Sequence, residues 1–183
     1  MFKKFLLGLF IYLFAATTIF AQAPTQVQSI DKYNEMIDKG ISENELQSHT
    51  LRLNAGGQTW TGILNYTENI YFYFEAKAGI VALKKISIST KVAERMGWKD
   101  FLFDDTGNVV KHFNITDATK ASSPSVQYYF LSSKLVTIID PNGTRNPNNF
   151  ETEDIQKAVE VLNEAKDYKK VFDSIIAIQL GAK

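Results

Sequence analysis

Hydrophobic positions first recur at helical spacing, with Ile30, Tyr33 and Ile37 on one stripe, Met36 beside them and Gly40 closing the run. Ser42 and Glu45 then carry the serine and glutamate of a capping box, which predicts a second short turn of helix. From Thr50 the period becomes two. Leu51 and Leu53 alternate with Arg52 and Asn54 before Gly56-Gly57, and a strand is expected from Trp60 to Tyr66. Ile70, Phe72 and Phe74 then share one strand face and Tyr71 and Tyr73 the other. In the next strand Ile86 and Ile88 alternate with Ser87 and Ser89. Phe101 and Phe103 lead into the turn Asp104-Asp105-Thr106-Gly107-Asn108, and residues 109–115 run back. After a small-residue loop over 118–125, residues 126–131 and 135–139 flank Ser132-Ser133-Lys134 as one more hairpin. The helical period returns at the end. Thr152 is placed to cap, Ile155, Val159, Leu162 and Ala165 make one stripe, and Phe172, Ile175, Ile176 and Leu180 make another. The predicted fold is α+β: a twisted antiparallel β-meander of about seven strands, an N-terminal helix, and two C-terminal helices, packed on one face.

The chain opens with a different pattern. Lys3 and Lys4 precede an apolar run from Phe5 to Phe14, and small residues follow from Ala15 to Ala23. This is the form of a cleaved signal peptide over residues 1–21. Its apolar core of about 16 residues is short for a membrane-spanning helix. Cleavage after Ala23 would leave Pro24 as the first residue, so a cut after Ala21 is preferred. The expected organisation is a signal peptide (1–21), a flexible leader (22–28) and a single α+β domain (29–183). The expected location is periplasmic or secreted, with no membrane span once the signal peptide is removed.

Composition narrows the chemistry. With 20 basic and 20 acidic side chains there is no basic excess for general nucleic-acid binding. With no cysteine there is no thiol nucleophile, disulfide, thiolate metal site or lipoprotein anchor. An aromatic content of 13% within 45% hydrophobic residues suffices for a packed core.

The segment from Phe101 to Lys111, with its spaced aromatic pair, acidic turn, Gly-Asn and apolar return strand, resembles one unit of the secreted YD-type and MORN-variant β-hairpin repeat proteins. Residues 128–136 look like a degraded copy that lacks the acidic pair and the glycine. The resemblance implies secreted, non-catalytic, sheet-building segments and brings with it no catalytic residue.

Catalytic patterns are sparse. His49 and His112 are the only histidines, and neither the G-x-S-x-G elbow nor S-x-x-K occurs. Asp104-Asp105 reads as turn chemistry rather than as a catalytic pair. A small glycan-directed hydrolase built on two carboxylates is the alternative that sequence leaves open, because it needs only a separation in space. Residues 140–151 place Asp140, Asn142, Thr144 and Glu151 in the rhythm of a calcium loop. Against that, Arg145 stands where the sharp turn wants glycine, and Pro147 where an apolar strand residue belongs. A calcium-stabilised structural protein is therefore a further alternative, and no other cofactor is expected. The leading expectation is a non-catalytic binding module. Tyr71, Tyr73 and Tyr129 would share an open sheet face, with Trp60 or Trp98 at its edge, offering rings with polar ends to a protein, peptide or glycan.

Overall fold

The computed structural model describes residues 25–60, 64–120 and 123–181, and the signal-peptide and cleavage-site assignments lie outside them. Helix α1 (25–42) is followed by β1 (Gln47–Leu53), β2 (Thr59–Trp60), β3 (Leu64–Lys77), β4 (Ile80–Val92), β5 (Arg95–Phe103), β6 (Val109–Ile115), β7 (Ser125–Leu131), β8 (Lys134–Asp140), β9 (Gly143–Arg145) and α2 (Thr152–Gln179). The sheet order is β1-β3-β4-β5-β6-β7-β8-β9, with β2 paired to β3. All of these pairs are antiparallel, and from β3 onward each strand lies beside the one before it in sequence. The α+β meander is thus present, with nine strands among the described residues rather than about seven. β9 is too brief for alternation to reveal, and the strand expected from Trp60 to Tyr66 is divided: Trp60 ends the two-residue β2, while residues 64–66 open β3, which also takes in the expected strand of Ile70, Phe72 and Phe74.

Tight turns set this order. Ala78-Gly79 joins β3 to β4 with φ of 51° and 80°, and Ser132-Ser133 joins β7 to β8 with φ of 47° and 62°. Positive φ at both central residues is the twist that two-residue hairpins require. At the β5–β6 turn Asp104 Oδ1 accepts the backbone N–H groups of Thr106 and Asn108, each at 2.9 Å.

Two corrections concern the helices. The C-terminal pair is one helix, α2, of 28 residues. Between its two stripes stand Lys166, Asp167, Lys169 and Lys170, with no glycine or proline to break it. Same-helix pairs such as Lys169–Asp173 bridge its turns. Its cap is Glu151 in a capping box with Asp154, and Thr152 is its first turn. At the other end of the chain α1 begins at residue 25, inside the span read as a leader, and runs through Gly40. The segment after it is a turn with Asn44 at φ 58°, not a second helix.

The larger correction is that the helices do not share a face. α2 buries Ala158, Val161, Ala165 and Phe172 against Ile70, Phe72, Ile86, Ile88, Phe101, Phe130 and Ile138. α1 buries Ile30 and Ile37 against Leu102 and Tyr129 on the other side, with Tyr33, Val110, Leu131, Val136 and Ile139 around them. The physical reason lies in the strands. Leu102, Leu131 and Ile139 alternate with the α2-facing residues, so this sheet is apolar on both faces over β5–β8 and both faces need a cover.

Three register shifts reinforce this. One extra residue enters β4 at Lys84, β6 at Val110 and β8 at Val136, each opposite a continuous stretch of its partner strand. Val110 and Val136 join the α1-side cluster, and Lys84 lies within electrostatic reach of Tyr33 on α1. A bulge bends its strand and raises the local twist. Repeated at the same level of three successive hairpins, it adds side chains to the α1 face.

Candidate functional site

Along the α1 face two rows of residues lie in register across the strands. One row is Tyr73, Lys85, Leu102, Lys111 and Tyr129. The next is Tyr71, Ser87, Asp100, Phe113 and Gln127. α1 covers only part of this area. Along its flank a cleft of about 310 Å³ opens, with Asn34 and Asp38 of α1 on one wall and Lys85, Asp100, Leu102, Lys111, Phe113 and Gln127 on the sheet. That size is at the small end of ligand pockets, which run from about 300 Å³.

The polar groups of the cleft form a connected chain. Lys85 is 5% exposed, and its Nζ lies 2.7 Å from Asp38 Oδ1 and 2.9 Å from Asp100 Oδ2. Asn34 Nδ2 donates to Asp38 Oδ2 at 2.8 Å, and Trp98 Nε1 donates to Asp100 Oδ1 at 2.8 Å. Lys111 Nζ lies 2.6 Å from Asp31 Oδ1 and 5.0 Å from the centre of the Tyr129 ring. The Tyr129 hydroxyl donates to Asp31 Oδ1 at 2.9 Å, and Gln127 Oε1 lies 2.9 Å from that hydroxyl. Burial alone would lower the pKa of Lys85, but the Asp100 and Asp38 carboxylates outweigh it and hold the ammonium above its ordinary value. Lys85 is a fixed cation here, not a deprotonated nucleophile.

The predicted aromatic residues divide around this cleft. Tyr71 and Tyr73 are half-buried, with ring centres 6.4 Å apart and planes 14° from parallel. They stand opposite Ser87 and Lys85 across the β3–β4 pairing. Tyr73 has a raised pKa, first from burial, and the charges of Asp100, Lys85 and Asp38 act on its hydroxyl. Trp98 pairs with Ser89 of the same face and is half-buried. Tyr129 shares the face but is only 1% exposed, because α1 lies over it; it supports the cleft from below and offers no open ring. Trp60 has its backbone in β2, and its side chain lies outside the described residues.

Sequence reasoning did not single out Lys85, Asp38, Asp100, Lys111, Phe113 or Gln127. A signal was present: Lys84-Lys85 interrupts the alternation between Leu83 and Ile86, and two consecutive lysines in a buried strand demand carboxylate partners.

Of the residues in the calcium-loop rhythm, Asp140 and Glu151 have partners of their own. Arg145 Nη2 lies 3.0 Å from both Asp140 Oδ2 and Asp154 Oδ1. Asp140 also accepts the Asn142 backbone N–H at 2.8 Å, and Glu151 caps α2. Thr144 stands in β9, opposite Ile139. Among the described residues no group of three or more His, Cys, Asp or Glu converges as a metal site. His112 is on the α2 face, stacked on Phe101 with ring centres 4.6 Å apart. Burial pushes its pKa down to about 4.

Among the described residues no helix is long and apolar enough to cross a membrane. Compared with protein-family models, with curated proteins and with solved structures, the chain matches none. The class defined by its geometry is an antiparallel α+β meander with a helix on each face and a polar cleft beside the shorter helix.

Proposed function

We propose that the protein is an exported, non-catalytic binding module that takes its ligand in the cleft between α1 and the sheet. The observation that carries this reading is the meeting of a pre-paired polar floor, Asp38–Lys85–Asp100, with the Tyr71–Tyr73 ring pair beside it. Ligand sites combine such fixed polar groups with apolar and aromatic walls. Both carboxylates are locked on one ammonium, an arrangement suited to holding a ligand. Export rests on the signal-peptide pattern of residues 1–21. The partner classes that fit are protein, peptide and glycan. The test is capture of a partner from an envelope extract by the wild type and by a Tyr71→Ala/Tyr73→Ala double variant. Capture should be lost in the variant while its circular dichroism and melting midpoint are retained. Undiminished capture by the folded variant would refute the reading.

A second reading, a small carboxylate hydrolase, is favoured by one fact: Asp38 and Asp100 line the same cleft. Glycoside hydrolysis needs the scissile oxygen, and in inverting enzymes a water, between the carboxyl groups. Lys85 Nζ occupies that space, bonded to both. Turnover of aryl glycosides that disappears in Asp38→Asn and Asp100→Asn would establish the hydrolase; absence of turnover by the wild type would remove it.

A further inference from the structure

We infer that the cleft ligand is a neutral saccharide, one or two sugar rings in size; this rests on the binding-module reading and names its ligand class. The argument begins with charge. The lining contains two ammonium groups, Lys85 and Lys111, and two carboxylates, Asp38 and Asp100, with the amides of Asn34 and Gln127. With Asp31, which pairs with Lys111, the group holds two ammoniums and three carboxylates, and its one excess negative charge is spread over the Asp38–Lys85–Asp100 bridge. Each charged group already has an opposite partner: Lys85 bridges Asp38 and Asp100, and Lys111 is held by Asp31 behind the wall. An anionic ligand would lie against Asp38 and Asp100, two carboxylates that share a single ammonium. A cationic ligand would lie against the Lys85 ammonium, which already sits between both carboxylates. An apolar ligand would strip water from paired charges without replacing its hydrogen bonds, which is costly.

The unused hydrogen-bonding capacity completes the argument. An ammonium has three N–H groups, and Lys85 spends two on Asp38 and Asp100, leaving one. A carboxylate offers about four acceptor positions. Asp38 accepts from Lys85 and Asn34, and Asp100 from Lys85 and Trp98, so each retains free lone pairs. Donors and acceptors therefore stand interleaved around the cleft. A hydroxyl, which both donates and accepts, satisfies such a surface without disturbing any ion pair. Phe113, between Asp100 and Gln127 in the row, gives an apolar ring among these groups, suited to the C–H face of a pyranose.

The test is calorimetric titration of the purified protein with neutral sugars (glucose, galactose, mannose, N-acetylglucosamine and their disaccharides). Glucuronic acid, glucosamine and tri-alanine serve as charged comparators. Trp98 fluorescence gives a second readout, since its indole N–H is bonded to the cleft carboxylate Asp100. A neutral sugar should bind, shift that fluorescence, and bind at least about tenfold more weakly to Asp100→Asn and to Gln127→Ala, the scale of one lost hydrogen bond. Gln127→Ala removes no charge, and Tyr129 keeps its bond to Asp31, so this variant stays informative if Asp100→Asn unfolds. Tighter binding of a charged sugar or of the peptide, lost in the same variants, would overturn the neutral-saccharide assignment and leave the binding module standing. Sugar binding that neither variant weakens would place the site elsewhere and overturn the inference, as would no binding of any neutral sugar.

Discussion

Acidification should destabilise this protein through one buried histidine. His112 is 3% exposed, between Phe101 and Tyr128 on the α2 face, and its Nδ1 lies 3.0 Å from the Asp100 carbonyl oxygen. That geometry fixes the neutral tautomer with the proton on Nδ1. Burial is the main cause of its low pKa. The Asp100 carbonyl and Glu164 pull the other way, and Lys99 and Lys157 add to the depression. The folded ring takes up a proton near pH 4, whereas the unfolded one does so at 6.5. Between those values the unfolded chain binds the proton and the folded chain does not. The stability tied to neutral His112 is therefore fully present above pH 6.5 and lost as pH falls toward 4. At 1.36 kcal/mol per pKa unit the ceiling is about 3 kcal/mol, of which about 2 kcal/mol is gone by pH 5. The assay is urea denaturation of wild type and His112→Gln from pH 7.5 to 4.5. Other groups titrate alike in both proteins, so the gap between the two curves should shift by about 2 kcal/mol in favour of the variant on going to pH 5. Parallel curves would refute the reasoning.

Other substitutions probe the two faces separately. Lys85→Met leaves Asp38 and Asp100 without their shared cation and should cost about 3 kcal/mol in urea denaturation, while an unchanged midpoint would show the bridge to be idle. Phe172, 2% exposed, has its ring centre 5.7 Å from that of Phe72 and 5.3 Å from that of Phe74. Phe172→Ala should therefore cost about 4 kcal/mol, and a loss below about 1 kcal/mol would mean that α2 does not seal this face. With Asp140 ion-paired to Arg145, the melting midpoint should be the same in calcium and in chelator. A rise in calcium would instead support the calcium-stabilised alternative.

Much of the sheet was legible because its signals are local. Alternation across Tyr71-Phe72-Tyr73-Phe74 and the turn residues Asp104 to Asn108 place strands and hairpins without reference to the rest of the chain. The same alternation put Tyr71, Tyr73 and Tyr129 on one face, and the register agrees. The position of α1 was not legible, because its stripe of Ile30, Tyr33 and Ile37 fits either face of a sheet. Which face it takes is decided by Leu102, Val110 and Val136, and two of these stand at bulges that break the simple period. The cleft was hidden for the same reason. Asp38 and Lys85 are 47 positions apart, and only the docking of α1 brings them together. The continuous α2 was missed because its charged middle reads as a gap, although those residues are sound helix formers on the solvent side.

The most direct test is an amide chemical-shift map of the isotope-labelled protein titrated with the tightest-binding ligand. The perturbed amides should gather on residues 34–38 of α1 and around Tyr71, Lys85, Asp100, Phe113 and Gln127. Perturbations confined to α2 or to the β9 edge would contradict the account.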